Sequence, residues 1–213
     1  MPDIASMLRE LAIFAIPLFL GITCHEVAHG YVAYLLGDPT AKNAGRLTLN
    51  PIKHLDPLGT LVLVITRRIG WAKPVPIDPR YFKNYRRDIL LVSVAGPAAN
   101  FILAFGFYFL YLAVNQILPM VSPNVQQNIL LPMAYITSAG VLVNFILGIF
   151  NLIPIPPLDG SKILASLLPP HIANQYMQIE KFGFFIILIL VFTGILGKGL
   201  GYVVNFIYKI FFQ

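Results

Sequence analysis

Charged side chains are scarce in this sequence. They make up 11% of its 213 residues, whereas about a quarter of the residues of a soluble globular protein are charged. Hydrophobic residues reach 57%, and the mean hydropathy is +0.76. The single cysteine, Cys24, excludes an intrachain disulfide. These shortages exclude a soluble protein and predict one polytopic membrane domain over residues 1–213.

The charges that are present are unevenly distributed. Residues 89–158 contain no charged side chain, whereas residues 38–87 contain ten of the fifteen lysines and arginines. The positive-inside rule therefore places the basic segment, residues 37–88, in the cytoplasm and the uncharged connection 115–128 outside. A solvated cytoplasmic loop explains the basic residues better than nucleic-acid binding does, and we expect no nucleic-acid partner.

Four apolar runs are long enough to span a bilayer, at about residues 9–36, 89–114, 129–151 and 182–208. Residues 58–66 are apolar and rich in β-branched side chains, but Arg67 and Arg68 end this run at about half a spanning length. We therefore expect an all-α polytopic membrane protein of about four transmembrane helices. A short re-entrant or interfacial β element is expected between the first and second helices.

Residues 25–29 read His-Glu-Val-Ala-His and lie inside the first apolar run. Residues four apart share a helix face, so the His25 and His29 imidazoles can bind one Zn²⁺ while Glu26 acts on a water bound to it. An ionisable side chain at the centre of a membrane helix costs about 3 kcal/mol, so a cluster of three requires a function. Neighbouring Cys24 points about 100° away and is interpreted as a buried thiol rather than a ligand.

A catalytic zinc ion usually takes three protein ligands, so a third ligand is required. Asp159 is the first ionisable residue after the uncharged run, and it follows three prolines that must end the third helix. A loop folded back into the protein would bring this carboxylate to the metal. The alternative is that Asp159 caps a helix that begins near Gly160. His54 is a further candidate ligand, although the turn signals after it favour a hydrogen-bonding role.

These residues resemble those of the site-2 proteases, intramembrane zinc metalloproteases that cut substrates within or near a membrane-spanning helix. His25, Glu26 and His29 match the family's H-E-x-x-H, and residues 151–160 match its N-x-x-P-x-x-P-x-D-G element. Further segments resemble the compact prokaryotic branch that has neither a PDZ nor a CBS domain, at residues 36–42, 45–51, 54–60, 70–76 and 95–100. Ser161 stands where many relatives repeat the glycine.

The resemblance implies hydrolysis of peptide bonds by metal-activated water, with one Zn²⁺ per chain held by His25, His29 and Asp159. Glu26 would be the general base, and Asn151 would donate a hydrogen bond to the tetrahedral oxyanion. The alternative is that Asn151 satisfies backbone groups freed by the prolines. Implied partners are the lipid bilayer and a membrane-protein substrate with an unwound transmembrane segment. The implied location is a prokaryotic cell membrane, with the active site toward the cytoplasmic side.

Three further residues or segments have predicted roles around this site. Asn100, early in the second helix, is expected to position the first helix rather than take part in chemistry. Asp38, just beyond the metal-binding helix, is expected to order a loop. Residues 61–65 and 71–77 could clamp an extended substrate by adding it as a strand.

Two other functions would also place polar residues in a helix bundle. A transporter would usually show paired repeats with discontinuous helices, and the sequence shows no internal repeat. An inactive homologue that only binds membrane proteins would have lost a reacting group, but Glu26 and all three candidate ligands are present. The sequence therefore favours a protease.

Overall fold

The computed structural model describes residues 4–66 and 70–213, with side chains described for residues 11–62 and 70–213. Within these residues the chain forms ten α-helices: α1 Ile4–Leu35, α2 Thr40–Asn43, α3 Pro57–Thr66, α4 Tyr85–Ile117, α5 Pro123–Val125, α6 Leu131–Asn151, α7 Asp159–Leu167, α8 Pro170–Met177, α9 Glu180–Phe192 and α10 Ile195–Phe212. Short 3₁₀ turns lie at Pro51–Lys53, Pro79–Tyr81 and Leu118–Met120, and a π-helical turn at Gln126–Leu130 leads into α6.

The centre of the bundle consists of α1, α4 and α6, because each of these helices packs against the other two. Helix α7 packs against α4, and α10 packs against α6. The ring of Phe211 on α10 lies 4.8 Å from that of Tyr108 on α4 and 5.1 Å from that of Phe145 on α6, measured between centroids. These ring contacts hold the last helix against the central three.

Four helical segments of the described chain are long and apolar enough to cross a membrane: Leu11–Leu35, Tyr85–Met120, Pro123–Asn151 and Ile195–Phe212. The predicted all-α architecture with about four transmembrane helices is therefore confirmed. A fifth, broken span is possible if α8 and α9, which are bent by 58° relative to each other, cross the membrane together.

The last predicted run, residues 182–208, is divided between two helices. Helix α9 ends at Phe192 and α10 begins at Ile195, with Gly194 between them at φ +76°. A left-handed residue cannot continue an α-helix, and glycine adopts this conformation without a steric penalty. The apolar composition of the run concealed this break.

The prediction of a β element between the first two membrane helices is wrong. Residues Pro57–Thr66 form α3, and the described residues contain no strand, only an isolated antiparallel bridge between Leu55 and Ala72. An α-helix satisfies the hydrogen bonds of its own backbone N–H and C=O groups. In an apolar environment this requirement outweighs the weak preference of β-branched residues for strands. Asp56 supplies the start signal, since its side chain accepts from the Gly59 N–H at 2.7 Å.

Arg86 connects the first turn of α4 to the last turn of α7. Its guanidinium donates to the Ser166 carbonyl oxygen at 2.8 Å and also to the Leu168 carbonyl oxygen. A cation at this end of a helix satisfies free carbonyl groups and is favoured by the helix dipole. Because α7 begins with Asp159, this contact holds the helix that carries the third candidate ligand.

The predicted orientation in the membrane can be tested because the chain has one natural cysteine. In a Cys24→Ala background, we expect Ser122→Cys, between α4 and α6, to react with a membrane-impermeant thiol reagent added to intact cells. Lys53→Cys, in the basic segment, should react only after the membrane is permeabilised, because basic loops stay in the cytoplasm. The opposite labelling pattern would show that the orientation is inverted.

Candidate metal centre

His25, His29 and Asp159 meet in one buried cluster. Helix α1 supplies the two histidines one turn apart, and α7 supplies the aspartate. The Nε2 atoms of His25 and His29 lie 2.9 Å apart, and Asp159 Oδ2 lies 3.1 Å from each of them. All three residues are only 7–8% exposed. The structure thus brings together the three residues that the sequence nominated as ligands.

A proline-rich loop carries the chain from α6 back to this cluster. Helix α6 ends at Asn151, and residues 152–158 form turns and bends instead of helix. Backbone that leaves the helix in a membrane protein needs other hydrogen-bond partners. One is the hydroxyl of Tyr176 on α8, which donates to the Pro154 carbonyl oxygen at 2.7 Å.

Asp159 directs its carboxylate at the histidines and not at its own helix. The N-cap of α7 is Leu158, and no side chain caps this helix end. The capping role considered for Asp159 as an alternative is therefore absent. The Oδ2 atom of Asp159 lies 3.1 Å from the Nε2 atom of each histidine.

Hydrogen bonds on the far side of each imidazole ring determine which nitrogen carries the proton. His25 Nδ1 lies 2.7 Å from Asn100 Oδ1, and His29 Nδ1 lies 2.7 Å from the Val92 carbonyl oxygen. Both oxygens can only accept, so each Nδ1 carries a proton and donates it. Each Nε2 is then free to present its lone pair to a metal, which is how metal-binding histidines are usually oriented.

Asn100 is oriented in turn by a second buried amide, Asn144. Asn100 Nδ2 donates to the Gly21 carbonyl oxygen at 3.1 Å and to Asn144 Oδ1 at 3.2 Å, while Asn144 Nδ2 donates to the Gly140 carbonyl oxygen at 2.9 Å. These bonds orient both amides and leave Asn100 Oδ1 for His25. The predicted positioning role of Asn100 is confirmed. The sequence reasoning overlooked Asn144, although an amide inside an uncharged apolar run is itself a signal.

Three electron-pair donors about 3 Å apart require positive charge between them. Zinc bonds of about 2.0–2.2 Å in tetrahedral geometry place ligand atoms roughly 3.3 Å from one another. The separations of 2.9–3.1 Å between the three ligand atoms are close to this value. Two histidines and one carboxylate also form a known donor set of catalytic zinc sites. Among the described residues, no other group of histidine, cysteine and acidic side chains could hold a metal.

Glu26 lies between the two histidines in sequence but contacts a different part of the chain. Its Oε2 accepts a hydrogen bond from the main-chain N–H of Val75 at 2.7 Å. Val75 is buried and belongs to residues 70–78, called the arm below, which form neither helix nor strand. No described residue donates to the other oxygen of Glu26, Oε1, which leaves it available for proton transfer.

Other candidates from the sequence lie outside the cluster. Asn151 donates its side-chain amide to the Leu147 carbonyl oxygen of its own helix at 2.9 Å. His54 is fully buried, and its Nε2 donates to the Thr48 carbonyl oxygen at 2.8 Å, which confirms the hydrogen-bonding role. Cys24 is half-buried and does not belong to the cluster.

A buried cluster of two histidines from a membrane-spanning helix and one aspartate from α7 is typical of a membrane-embedded metalloprotein. Comparison with known proteins narrows this class. The family model described as Peptidase family M50 matches residues 117–193. "Putative zinc metalloprotease YwhC" of Bacillus subtilis is 44% identical over 182 residues, which cover 84% of this chain and 79% of the relative. The chain therefore belongs to Peptidase family M50, the site-2 protease family; it is a zinc metalloprotease and an integral membrane protein.

More distant relatives carry similar names. "Putative zinc metalloprotease Rip2" of Mycolicibacterium smegmatis is 29% identical over 183 residues, covering 84% of this chain and 66% of the relative. "Zinc metalloprotease MJ0392" of Methanocaldococcus jannaschii is 27% identical over 157 residues, covering 74% of this chain and 34% of the relative. No solved structure matches the chain significantly.

A side chain at position 96 should weaken zinc binding. A Cβ atom at Gly96 would lie 2.3 Å from His29 Nε2 and 2.6 Å from His25 Cε1, so both rings would have to move. We expect Gly96→Ala to lower zinc affinity by about tenfold or more, measured by competition with a chelator. Gly106→Ala on the same helix is the control, because a Cβ there meets nothing within 4 Å. Equal affinities in the two variants would contradict this account.

Loss of the buried amides should also weaken zinc binding. Asn100→Leu removes the acceptor for the His25 Nδ1 proton, and we expect a 10- to 100-fold loss of zinc affinity, roughly the effect of removing an outer-shell partner. Asn144→Leu should have a smaller effect in the same direction, because it acts through Asn100. Asn115→Leu, an exposed amide on α4, serves as the control. If Asn100→Leu and Asn144→Leu both bind zinc as tightly as this control, the two buried amides do not support zinc binding.

Proposed function

We propose that this protease cleaves peptide bonds within or near transmembrane segments of other membrane proteins. The observation that carries the proposal is the position of the metal cluster: two of its three donors lie on Leu11–Leu35, a helix long and apolar enough to span the membrane. A site at this depth suits peptide bonds that lie in the membrane or at its surface, which soluble proteases do not reach.

His25, His29 and Asp159 are the proposed ligands of the zinc ion. When bound, the zinc supplies Lewis acidity, which polarises a substrate carbonyl and lowers the pKa of water to about 7. The chain's own contribution is to hold three electron-pair donors close together in a buried site. The hydrogen bonds of Asn100 and of the Val92 carbonyl oxygen keep the two imidazoles in the correct tautomer.

Glu26 is the proposed general base. Its free oxygen, Oε1, would take a proton from the attacking water and later deliver that proton to the leaving amine. Asn151 is the proposed hydrogen-bond donor to the oxyanion. Its side-chain amide donates to the Leu147 carbonyl oxygen, and it would have to give up this bond in order to donate to the substrate.

The proposed substrate is a membrane-protein segment that has unwound from helix. In a helix each carbonyl group is engaged within its own backbone, so an extended segment is more accessible to attack. The arm reaches the catalytic glutamate through Val75, which favours residues 71–77 as the substrate-binding element. Residues 61–65 belong to helix α3, so they do not supply a second strand to such a clamp.

The proposed location is a prokaryotic cell membrane, with the active site toward the cytoplasm. The basic segment 37–88 begins just after α1, and Asp159 follows the third span at the same proposed side. The bilayer and the substrate are the only partners that this proposal requires.

Replacement of Glu26 tests the mechanism. We expect Glu26→Gln to reduce cleavage of a transmembrane substrate by about 100- to 10,000-fold, because the amide cannot accept the water proton. Its zinc content, measured by elemental analysis of purified protein, should equal that of the unmodified enzyme. Glu180→Gln, at an exposed glutamate, should cleave normally. A chelator should abolish activity and added zinc should restore it, whereas retained turnover in Glu26→Gln would refute the assigned role.

A further inference from the structure

The hydrogen bond between Val75 and Glu26 joins a loop segment to the general base. Val75 N donates to Glu26 Oε2 at 2.7 Å, which is a short, charge-assisted bond. Val75 is 6% exposed, so water competes little for this donor. A glutamate side chain has three rotatable bonds, and nothing in the H-E-x-x-H sequence itself fixes the direction of its carboxylate.

The arm has its own attachments, which are independent of Glu26. Lys73 donates its main-chain N–H to the His54 carbonyl oxygen at 2.9 Å, and its carbonyl oxygen accepts from Arg46 Nη2 at 2.7 Å. Farther along, the Asp78 N–H donates to Asp38 Oδ2 at 2.7 Å. Asp38 thus orders the chain after α1, as predicted. These bonds flank Val75 on both sides and fix the position of its N–H without help from the glutamate.

Two flanking prolines leave Val75 as the one residue of 74–76 that has a main-chain N–H group. Pro74 and Pro76 have no N–H group, so residues 74–76 offer one main-chain donor, and it points at Glu26. A residue that precedes proline is also restricted to extended conformations, which stiffens both Lys73 and Val75.

We propose that the main-chain N–H of Val75 is a positioning group for the general base. It holds Oε2 of Glu26 and thereby aims Oε1 at the metal cluster, so the arm, and not α1 alone, determines whether the base is correctly oriented. This inference rests on the proposed role of Glu26. It makes turnover depend on the seating of the arm, even when all three metal ligands are in place.

Selective isotope labelling tests the contact without any activity measurement. The dipeptide Pro-Val occurs once in the sequence, at residues 74–75. Protein labelled with carbonyl-¹³C proline and ¹⁵N valine therefore gives one signal in a carbonyl-to-amide correlation spectrum. We expect the Val75 amide proton to resonate downfield and to shift upfield in Glu26→Ala but not in Glu180→Ala. An unchanged signal in Glu26→Ala would overturn the proposal.

Replacement of one amide by an ester tests the consequence for catalysis. Incorporation of 2-hydroxyisovaleric acid at position 75 removes the N–H and retains the valine side chain. We expect kcat to fall by an amount on the order of 100-fold, while KM and zinc content stay unchanged, because only the base is misdirected. The same hydroxy acid at Val121 is the control. It lies beyond α4 in the connection to α6, and no hydrogen bond of its N–H is found in the described chain.

The outcomes separate this proposal from the proposed function. Equal kcat values for the two esters would overturn the positioning role, and so would a change confined to KM, which would mean that Val75 only seats the arm or the substrate. An unmodified enzyme without zinc-dependent cleavage would instead refute the proposed function. The labelling experiment would still report whether Glu26 receives the Val75 hydrogen bond.

Discussion

The structure depends on one electrostatic constraint: three lone-pair atoms converge to within about 3 Å of one another in an apolar bundle. Without a cation, the imidazole nitrogens and the carboxylate oxygen would repel one another, and their burial limits how far solvent can relieve this repulsion. The proposed zinc ion would resolve this conflict. The fold must therefore bring the three atoms together and hold them there, because their convergence is unfavourable in the absence of the metal.

Helix α4 positions the two imidazole rings, although it carries none of the proposed ligands. Val92, Gly96 and Asn100 are spaced four residues apart and so form one stripe along the helix. The Val92 carbonyl oxygen accepts a hydrogen bond from His29, Gly96 leaves room for both rings, and the Asn100 side chain accepts a hydrogen bond from His25. The stripe positions the rings of α1 through contacts that no metal-binding motif reveals. Asn144 extends the same support to α6.

Two non-helical segments complete the site, and each is tied down because free backbone is costly in an apolar environment. The proline-rich loop 152–158 places Asp159 at the cluster, and Tyr176 supports it from α8. The arm reaches Glu26 and is held at Lys73 and Asp78. The proposed ligands and base thus come from two parts of the chain, α1 and the start of α7, and the arm contacts the base from a third. The packing of the helix bundle, and not any single sequence motif, brings these residues together.

The sequence alone determined the membrane-embedded helical class. It also nominated His25, His29 and Glu26 through the spacing of one motif, and Asp159 through an isolated charge after three prolines. These features are local, because hydropathy and the spacing of residues along the chain are sufficient to recognise them. Only the tertiary structure decided that residues 57–66 are helical, that Gly194 breaks the last run, and that Asn144 and Val75 reach the site. Each of these depends on backbone hydrogen bonding or on contacts between residues far apart in the chain, and a linear pattern does not encode such distances.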